Sequence, residues 1–258
     1  MNRGEEERNM KKFIILSLVL IAGMFIMGCG ASTSSTSATP TVPAATLAGN
    51  VGNIGVIGLG IDDNITGLKG VAGNGVKASA VTPTRVSGWW TAVDSTSKDN
   101  YSYAYRFRMY DTNANELTTE ASLAAATSST ISTLETYTSL EVTSALLSFS
   151  MSLGTSTSAP LQFLNYNSST NKKINGPLTY TATSSGTSYT VTLTYANLTL
   201  GAIYPTGSAS FSVNIDGETV AGTVTYDGTS SATLTFTSGA TGTYTLNLTD
   251  GSATASSL

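Results

Sequence analysis

Histidine is absent from this chain of 258 residues, and there is a single cysteine. Without histidine, no Ser-His-Asp or Cys-His catalytic arrangement can form, and histidine-ligated zinc and haem sites are excluded in the same way. One cysteine cannot form a disulfide within the chain, so packing alone must hold the fold. The sequence therefore predicts a protein that is not an enzyme and that has no catalytic residue, metal site or cofactor.

Charged side chains are also scarce, at 11% of residues with a net charge of −4. Removing the first 28 residues would leave 8 basic and 13 acidic side chains, a net charge of −5. Binding to nucleic acid requires a basic patch, so nucleic acid is not an expected partner. The hydrophobic fraction of 40% is too high for a disordered chain.

The N-terminal segment has the three parts of a secretory signal. Lys11 and Lys12 precede an apolar run over 13–27, which is shorter than the roughly 20 residues needed to span a bilayer as a helix. The run ends in Ile26-Met27-Gly28-Cys29, with an aliphatic residue three positions before the cysteine and a small residue directly before it. This resembles the lipobox of bacterial lipoproteins and predicts a signal peptide over 1–28. The alternative is an uncleaved transmembrane helix with a chance Gly-Cys pair.

The resemblance to lipoproteins implies the fate of Cys29. Cleavage would occur before it, its sulfur would carry a diacylglyceryl thioether, and its new amino group would be acylated, for example by palmitate. Two or three acyl chains anchor a protein stably to a membrane. Gly30 stands where an aspartate favours inner-membrane retention in some bacteria, so the outer membrane or cell surface is favoured here. Glu5–Glu7 are atypical of a signal and favour Met10 as the translational start.

Two segments of simple composition follow the signal. The first, residues 29–48, begins with the cysteine that we expect to be acylated, and its Ser/Thr-rich composition predicts a tether. Residues 49–85 are glycine-rich, and their apolar side chains fall at helical spacing, namely Ile54, Ile57, Ile61, Ile65 and Leu68. Each glycine costs a helix about 1 kcal/mol relative to alanine, so we expect a weak or broken helix that packs on the following domain.

Residues 86–258 alternate between apolar and polar side chains, as strands with one buried face do. The clearest turn signals are Asp216-Gly217, Asp227-Gly228, Ser238-Gly239 and Asp250-Gly251, spaced by 11, 11 and 12 residues. Regular turns between short strands predict an all-β fold, an antiparallel meander closing into a barrel, half-barrel or sandwich. The opposite faces are rich in threonine and point to water rather than lipid.

Four motifs strengthen the lipoprotein interpretation. They are Gly88-Trp89-Trp90, the run Tyr-x-Tyr-Arg-Phe-Arg-Met-Tyr-Asp over 103–111, Tyr204-Pro205-Thr206-Gly207 and Asp227-Gly228-Thr229. Together they resemble motifs of β-rich bacterial envelope lipoproteins, over most of residues 86–250. The resemblance implies a β-rich envelope fold and no particular activity.

Several polar motifs suggest chemistry but fit structural roles better. Ser95-x-x-Lys98 lacks the Lys-Thr-Gly partner motif of penicillin-binding enzymes. The segments that begin at Asp62 and Asp111 resemble calcium loops but miss required ligands, so turns are expected there. Four glutamates are of the type that glycosidases use in pairs, but we expect solvated surface charge for them: Glu116, Glu120, Glu135 and Glu141.

An aromatic cluster is the candidate ligand surface of the chain. It consists of Trp89, Trp90, Tyr101, Tyr103 and Tyr105. Trp89 and Trp90 are adjacent in a predicted strand and must face opposite ways, so we expect one in the core and the other exposed. Aromatic residues are also good core fillers, which is the alternative role for the whole cluster.

The sequence thus favours a lipid-anchored cell-envelope protein, a non-enzymatic structural or surface-interaction module that contacts the membrane through its anchor. The alternative is a carrier or sensor of a lipid or other apolar ligand inside a β-barrel. A filled core would favour the first hypothesis. A barrel with small inward side chains would favour the second.

Overall fold

The computed structural model describes residues 42–56, 59, 83–96, 101–143, 147–184, 187–201 and 203–256. It contains helix α1 over 44–56 and helix α2 over Glu120–Ala124. The strands are β1 (Thr84–Val86), β2 (Trp89–Thr96), β3 (Tyr101–Asp111), β4 (Ile131–Thr143), β5 (Leu147–Leu153), β6 (Leu161–Leu164), β7 (Lys172–Ser184), β8 (Thr187–Leu200), β9 (Thr206–Ile215), β10 (Glu218–Asp227), β11 (Ser231–Ser238), β12 (Thr243–Asn247) and β13 (Ala253–Ala255).

All 13 strands belong to one antiparallel sheet, in which neighbours along the chain are neighbours in space. The exception is β6, which pairs with β4 and β7 and lies in line with β5, so that the two short strands fill one position. Within the described strands, β1 and β13 are the two edges of the sheet. The predicted all-β meander is confirmed.

One face of the sheet carries the core, and we call it the inner face; the opposite one is the outer face. A single register row shows the pattern across nine strands: Ala92, Tyr105, Thr138, Leu153, Leu178, Leu193, Phe211, Gly222 and Phe236. All of them are buried. Gly222 has to be glycine, because a Cβ there would lie 2.5 Å from Phe211 Cζ. The one glycine of this row therefore makes room for the two phenylalanine rings beside it.

The predicted turns lie where the sequence placed them. Asp216 and Gly217 join β9 to β10 with φ of 49° and 96°, the two positive angles of a type I′ hairpin turn. The next three pairs mark the following strand ends. Asp227-Gly228 ends β10, Ser238-Gly239 ends β11, and Asp250-Gly251 lies between β12 and β13. Turn chemistry therefore sets the register of the C-terminal strands.

Helix α1 begins earlier than the sequence predicted, inside the segment assigned to the tether over 29–48. The Leu47 amide donates to the Pro43 carbonyl over 3.1 Å, and proline suits the first turn of a helix because its φ is already fixed. Alanine and leucine then extend the helix, which the Ser/Thr/Pro composition had concealed. Ile54 is buried in α1 as its spacing predicted, whereas Ile57, Ile61, Ile65 and Leu68 lie outside the described residues.

Helix α1 packs on the inner face and completes the core. Leu47, Ala48, Val51 and Ile54 are each at most 2% exposed and join the apolar cluster of the sheet. Gly52 allows close approach, because a Cβ there would overlap the carbonyl oxygen of Gly251. Gly52 therefore weakens the helix but lets its backbone approach the turn between β12 and β13.

Candidate interaction surface

Trp89 and Trp90 face opposite ways, as predicted, but the expectation that one of them is exposed is wrong. Trp90 lies on the inner face, is 2% exposed and donates from Nε1 to the Leu117 carbonyl over 2.7 Å. Trp89 lies on the outer face and is only 4% exposed. The guanidinium of Arg108, 4.2 Å from the centre of the Trp89 ring, covers it in a cation–π contact.

The tyrosines of the predicted ligand surface all lie in β3. Tyr105 is on the inner face, 5% exposed, with its ring centre 4.9 Å from that of Phe107. Tyr101 and Tyr103 pair with Val142 and Leu140 of β4, and their side chains lie outside the described residues. The described aromatic members of the cluster are therefore buried, Trp90 and Tyr105 in the core and Trp89 beneath Arg108, and a ligand surface at Tyr101 and Tyr103 stays a prediction.

A row of polar side chains crosses the outer face of β3, β4, β6 and β7. Arg108 donates to Glu135 Oε2 from Nε over 2.9 Å and forms an ion pair with it at 2.7 Å. Gln162 donates to Glu135 Oε1 over 2.8 Å, and Asn175 donates to the Gln162 side-chain oxygen over 3.1 Å. We call these four residues, together with Trp89 beneath Arg108, the polar row. Its members face one another across adjacent strands.

The polar row corrects the expectation that Glu135 is a solvated surface charge. The residue is only 9% exposed, because Arg108 and Gln162 satisfy its two oxygens and surround it. Glu141, six positions along β4, is exposed and about 20 Å away at the usual strand rise. Glycosidase carboxylates lie about 5–10 Å apart, so these two do not form such a pair. Glu116 is held by Arg85 at 2.7 Å.

The motif that resembles a calcium loop forms a turn. The Asp111 carboxylate accepts from the backbone amides of Asn113 and Asn115, each over 2.8 Å. These bonds, the one from Asn115 first, lower the pKa of Asp111 below its usual value. In the described part of the chain, no three His, Cys, Asp or Glu residues are grouped as metal ligands. The motif at Asp62 and the lysine of Ser95-x-x-Lys98 lie outside the described residues.

Two ranks of hydroxyl side chains run across the outer face of the C-terminal strands. The register places the first rank on five strands, β8 to β12, as Thr194, Ser210, Thr223, Thr235 and Thr243. The second rank occupies β9 to β13, as Ser208, Thr225, Thr233, Thr245 and Thr254. We call the ten residues the hydroxyl face. Sequence alone shows that these positions alternate with apolar ones, but the ranks become visible only when the strand pairing is known.

The hydroxyl face is exposed, uncharged and regular. Eight of its side chains are exposed, and Thr235 and Thr243 are half-buried. Strand geometry spaces the hydroxyls by about 4.8 Å along each rank and about 7 Å between ranks. Among the described hydrogen bonds, only Thr245 uses its hydroxyl, with Ser256 at 3.2 Å. The other nine hydroxyls are thus free to bond to water or to a partner.

Buried tyrosines distinguish the inner face of the C-terminal half. Burial raises the pKa of Tyr180 to about 12 and also raises the pKa of Tyr195 and Tyr226. Burial raises the pKa of Tyr189 as well, partly offset by the hydrogen bond that Asn50 of α1 donates to its hydroxyl over 3.1 Å. Ionisation of these phenols is therefore incompatible with the packed inner face.

No family model, curated protein or solved structure matches this chain. Among the helices that the structure describes, none has the length and apolar character to cross a membrane. The class that the fold defines is an all-β antiparallel meander with a helix on its inner face. Inference about function therefore rests on the chain's own sequence and surfaces.

Proposed function

We propose that this protein is a lipid-anchored component of the bacterial cell envelope, without enzymatic activity, that uses the hydroxyl face as an interaction surface. The anchor is the acylated Cys29, and the outer membrane or cell surface is the favoured location. The lipobox Ile26-Met27-Gly28-Cys29 and the short apolar run before it support the anchor.

The connection between anchor and domain is short. Twelve residues separate Cys29 from Val42, where the described domain begins, and such a chain extends to at most about 45 Å. The domain would stay close to the membrane, with α1 joining the tether directly to the core.

The hydroxyl face is the observation that carries the interaction role. Nine of its hydroxyls bond to no other described residue, and each can donate and accept a hydrogen bond. None of the ten residues is charged. A charged partner would find no counter-charge in the ranks, so the surface suits an uncharged, hydroxyl-bearing polymer such as an envelope polysaccharide. Inward side chains are large and α1 covers them, which supports this role over a ligand-filled barrel.

Replacing the acylated cysteine tests the anchor. The Cys29→Ser variant should leave the membrane fraction after a carbonate wash, because it carries no acyl chain. A Ser32→Ala variant, three residues further along the tether, should remain in the membrane fraction. Retention of Cys29→Ser in the membrane would contradict the proposed anchor.

A further inference from the structure

One arginine of the outer face has no counter-charge. Arg85 and Arg108 each form an ion pair with a glutamate, whereas Arg106 of β3 forms none within the described residues. The guanidinium of Arg106 donates no described hydrogen bond, and its nitrogens are not among the buried atoms that lack a partner. These nitrogens are therefore open to solvent and available as donors.

Tyr137, the cross-strand neighbour of Arg106 on β4, supports this guanidinium. The guanidinium carbon lies 5.4 Å from the centre of the Tyr137 ring in a cation–π contact, and both side chains are half-buried. This contact uses no hydrogen-bond donor, so the N–H groups stay available. Their planar fork matches the two oxygens of a carboxylate or phosphate group. The pair thus has the chemistry of an anion-binding site.

The charges around Arg106 leave this position positive. Glu135 lies diagonally across from it on β4, but both Glu135 oxygens are already bonded within the polar row, and Arg108 neutralises their charge. The next outer-face carboxylate on β4 is that of Glu141, four residues beyond Tyr137 and about 13 Å away at the usual strand rise. Two guanidinium groups and one bonded carboxylate therefore leave one positive charge at Arg106.

The strand register places Arg106 in line with the hydroxyl face. From Arg106 and Tyr137, the same row continues through Gly154 and Pro177, whose backbones are joined by a hydrogen bond of 2.8 Å, to Thr194. Thr194 is the first member of the first rank. Four strand spacings, about 19 Å, separate it from Arg106. A polymer that lies along the first rank would therefore reach Arg106 where its chain continues.

We propose that Arg106, supported by Tyr137, binds a carboxylate or phosphate group of the polymer that lies on the hydroxyl face. This inference rests on the proposed function and names the partner more closely. The partner is a polysaccharide whose stretch on the ranks is uncharged and which has an acidic substituent about 19 Å further along. A densely charged polyanion does not fit, because residues 187–256 contain four acidic and no basic side chains.

Titration with small sugars tests the site directly. We would add glucuronate, glucose 6-phosphate or uncharged glucose to the chain carrying Cys29→Ser, and follow the Arg106 Nε–H and Tyr137 ring signals by nuclear magnetic resonance. We expect saturable shifts with at least one of the two anions and none with glucose. The anion that binds more tightly identifies the natural group as carboxylate or phosphate.

Variants of Arg106 test the role of its guanidinium. Arg106→Gln should weaken binding of the preferred anion about tenfold, the effect of a charge-assisted hydrogen bond. Arg106→Lys should also weaken it, because an ammonium group lacks the planar fork. Lys173→Gln is the matched control, since Lys173 lies on the outer face without an ion pair in the described structure, and we expect unchanged affinity. Absence of saturable shifts with both anions, unchanged affinity of Arg106→Gln, or equal weakening by Lys173→Gln would each overturn the anion site.

Adsorption to purified cell envelopes separates this inference from the proposed function. Arg106→Gln should weaken adsorption about tenfold, whereas Lys173→Gln should not change it. If Arg106→Gln adsorbed like its parent while Thr223→Lys with Thr235→Lys lost adsorption, the inference would be overturned and the proposed function would stand. If that double variant adsorbed like its parent, the proposed function would fail, whatever the result at Arg106.

Discussion

The outer face of this sheet is organised in two different ways. Across β3 to β7, the polar row joins Arg108, Glu135, Gln162 and Asn175 by bonds of 2.7–3.1 Å. Across β8 to β13, nine of the ten hydroxyls of the hydroxyl face bond to no other described residue. Both halves share one apolar core on the inner face. The difference indicates that polar side chains stabilise the N-terminal half, whereas those of the C-terminal half are left available for contact.

The largest predicted effect concerns the inner face of the C-terminal half. Gly52→Ala should destabilise the protein by about 3 kcal/mol, because its Cβ would overlap the Gly251 carbonyl and force α1 away from the sheet. Gly49→Ala, with open space around its Cβ, should instead stabilise by about 0.5–1 kcal/mol through helix propensity. Denaturant unfolding measures both. If Gly52→Ala and Gly49→Ala changed the free energy of unfolding equally, α1 would not pack against Gly251 as described.

Breaking the polar row should have the next largest effect. Glu135→Ala leaves Arg108 partly buried without its counter-charge, and we expect a loss of about 2–3 kcal/mol in the free energy of unfolding. Glu141→Ala on the same strand removes an exposed carboxylate and should change stability by less than about 0.5 kcal/mol. If the two variants lost the same stability, the polar row would not hold the N-terminal half together.

Alkaline pH should affect the C-terminal half through its tyrosines. In the folded protein the pKa of Tyr180 is about 12, against 10.0 for an exposed phenol. Between these values the unfolded chain loses protons that the folded chain retains, so stability falls as pH rises through this window. Denaturant midpoints and tyrosinate absorbance should change together, with buried tyrosines ionising only on unfolding. Ionisation of all tyrosines near pH 10 in the folded protein would contradict this burial.

The hydroxyl face should contribute least to stability. The double variant Thr223→Val and Thr235→Val should change the free energy of unfolding by less than about 0.5 kcal/mol, because valine suits strands and no hydrogen bond is lost. Gln162→Ala in the polar row should cost about 1–2 kcal/mol, because Glu135 Oε1 loses its donor. If the threonine double variant lost more free energy of unfolding than Gln162→Ala, the hydroxyl face would stabilise the fold more than the polar row does, which contradicts the comparison.

Local patterns predicted the C-terminal strands well, because β9 to β12 alternate strictly and Asp-Gly turns fix their ends. Long-range partners were not predictable in the same way. Glu135 is buried by Arg108, 27 residues earlier, and Trp89 is covered by the same guanidinium. The ranks depend on the register of five strands, and the start of α1 was concealed by a tether-like composition.

Adsorption to purified cell envelopes tests the central claim most directly. Two double variants of the Cys29→Ser chain place a lysine pair on the outer face: Thr223→Lys with Thr235→Lys in the hydroxyl face, and Ser139→Lys with Ser152→Lys on β4 and β5. Both pairs are cross-strand neighbours, so they cost similar repulsion. We predict that the first variant loses adsorption and the second retains it. Equal adsorption by the two variants would contradict the assignment of the hydroxyl face as the interaction surface.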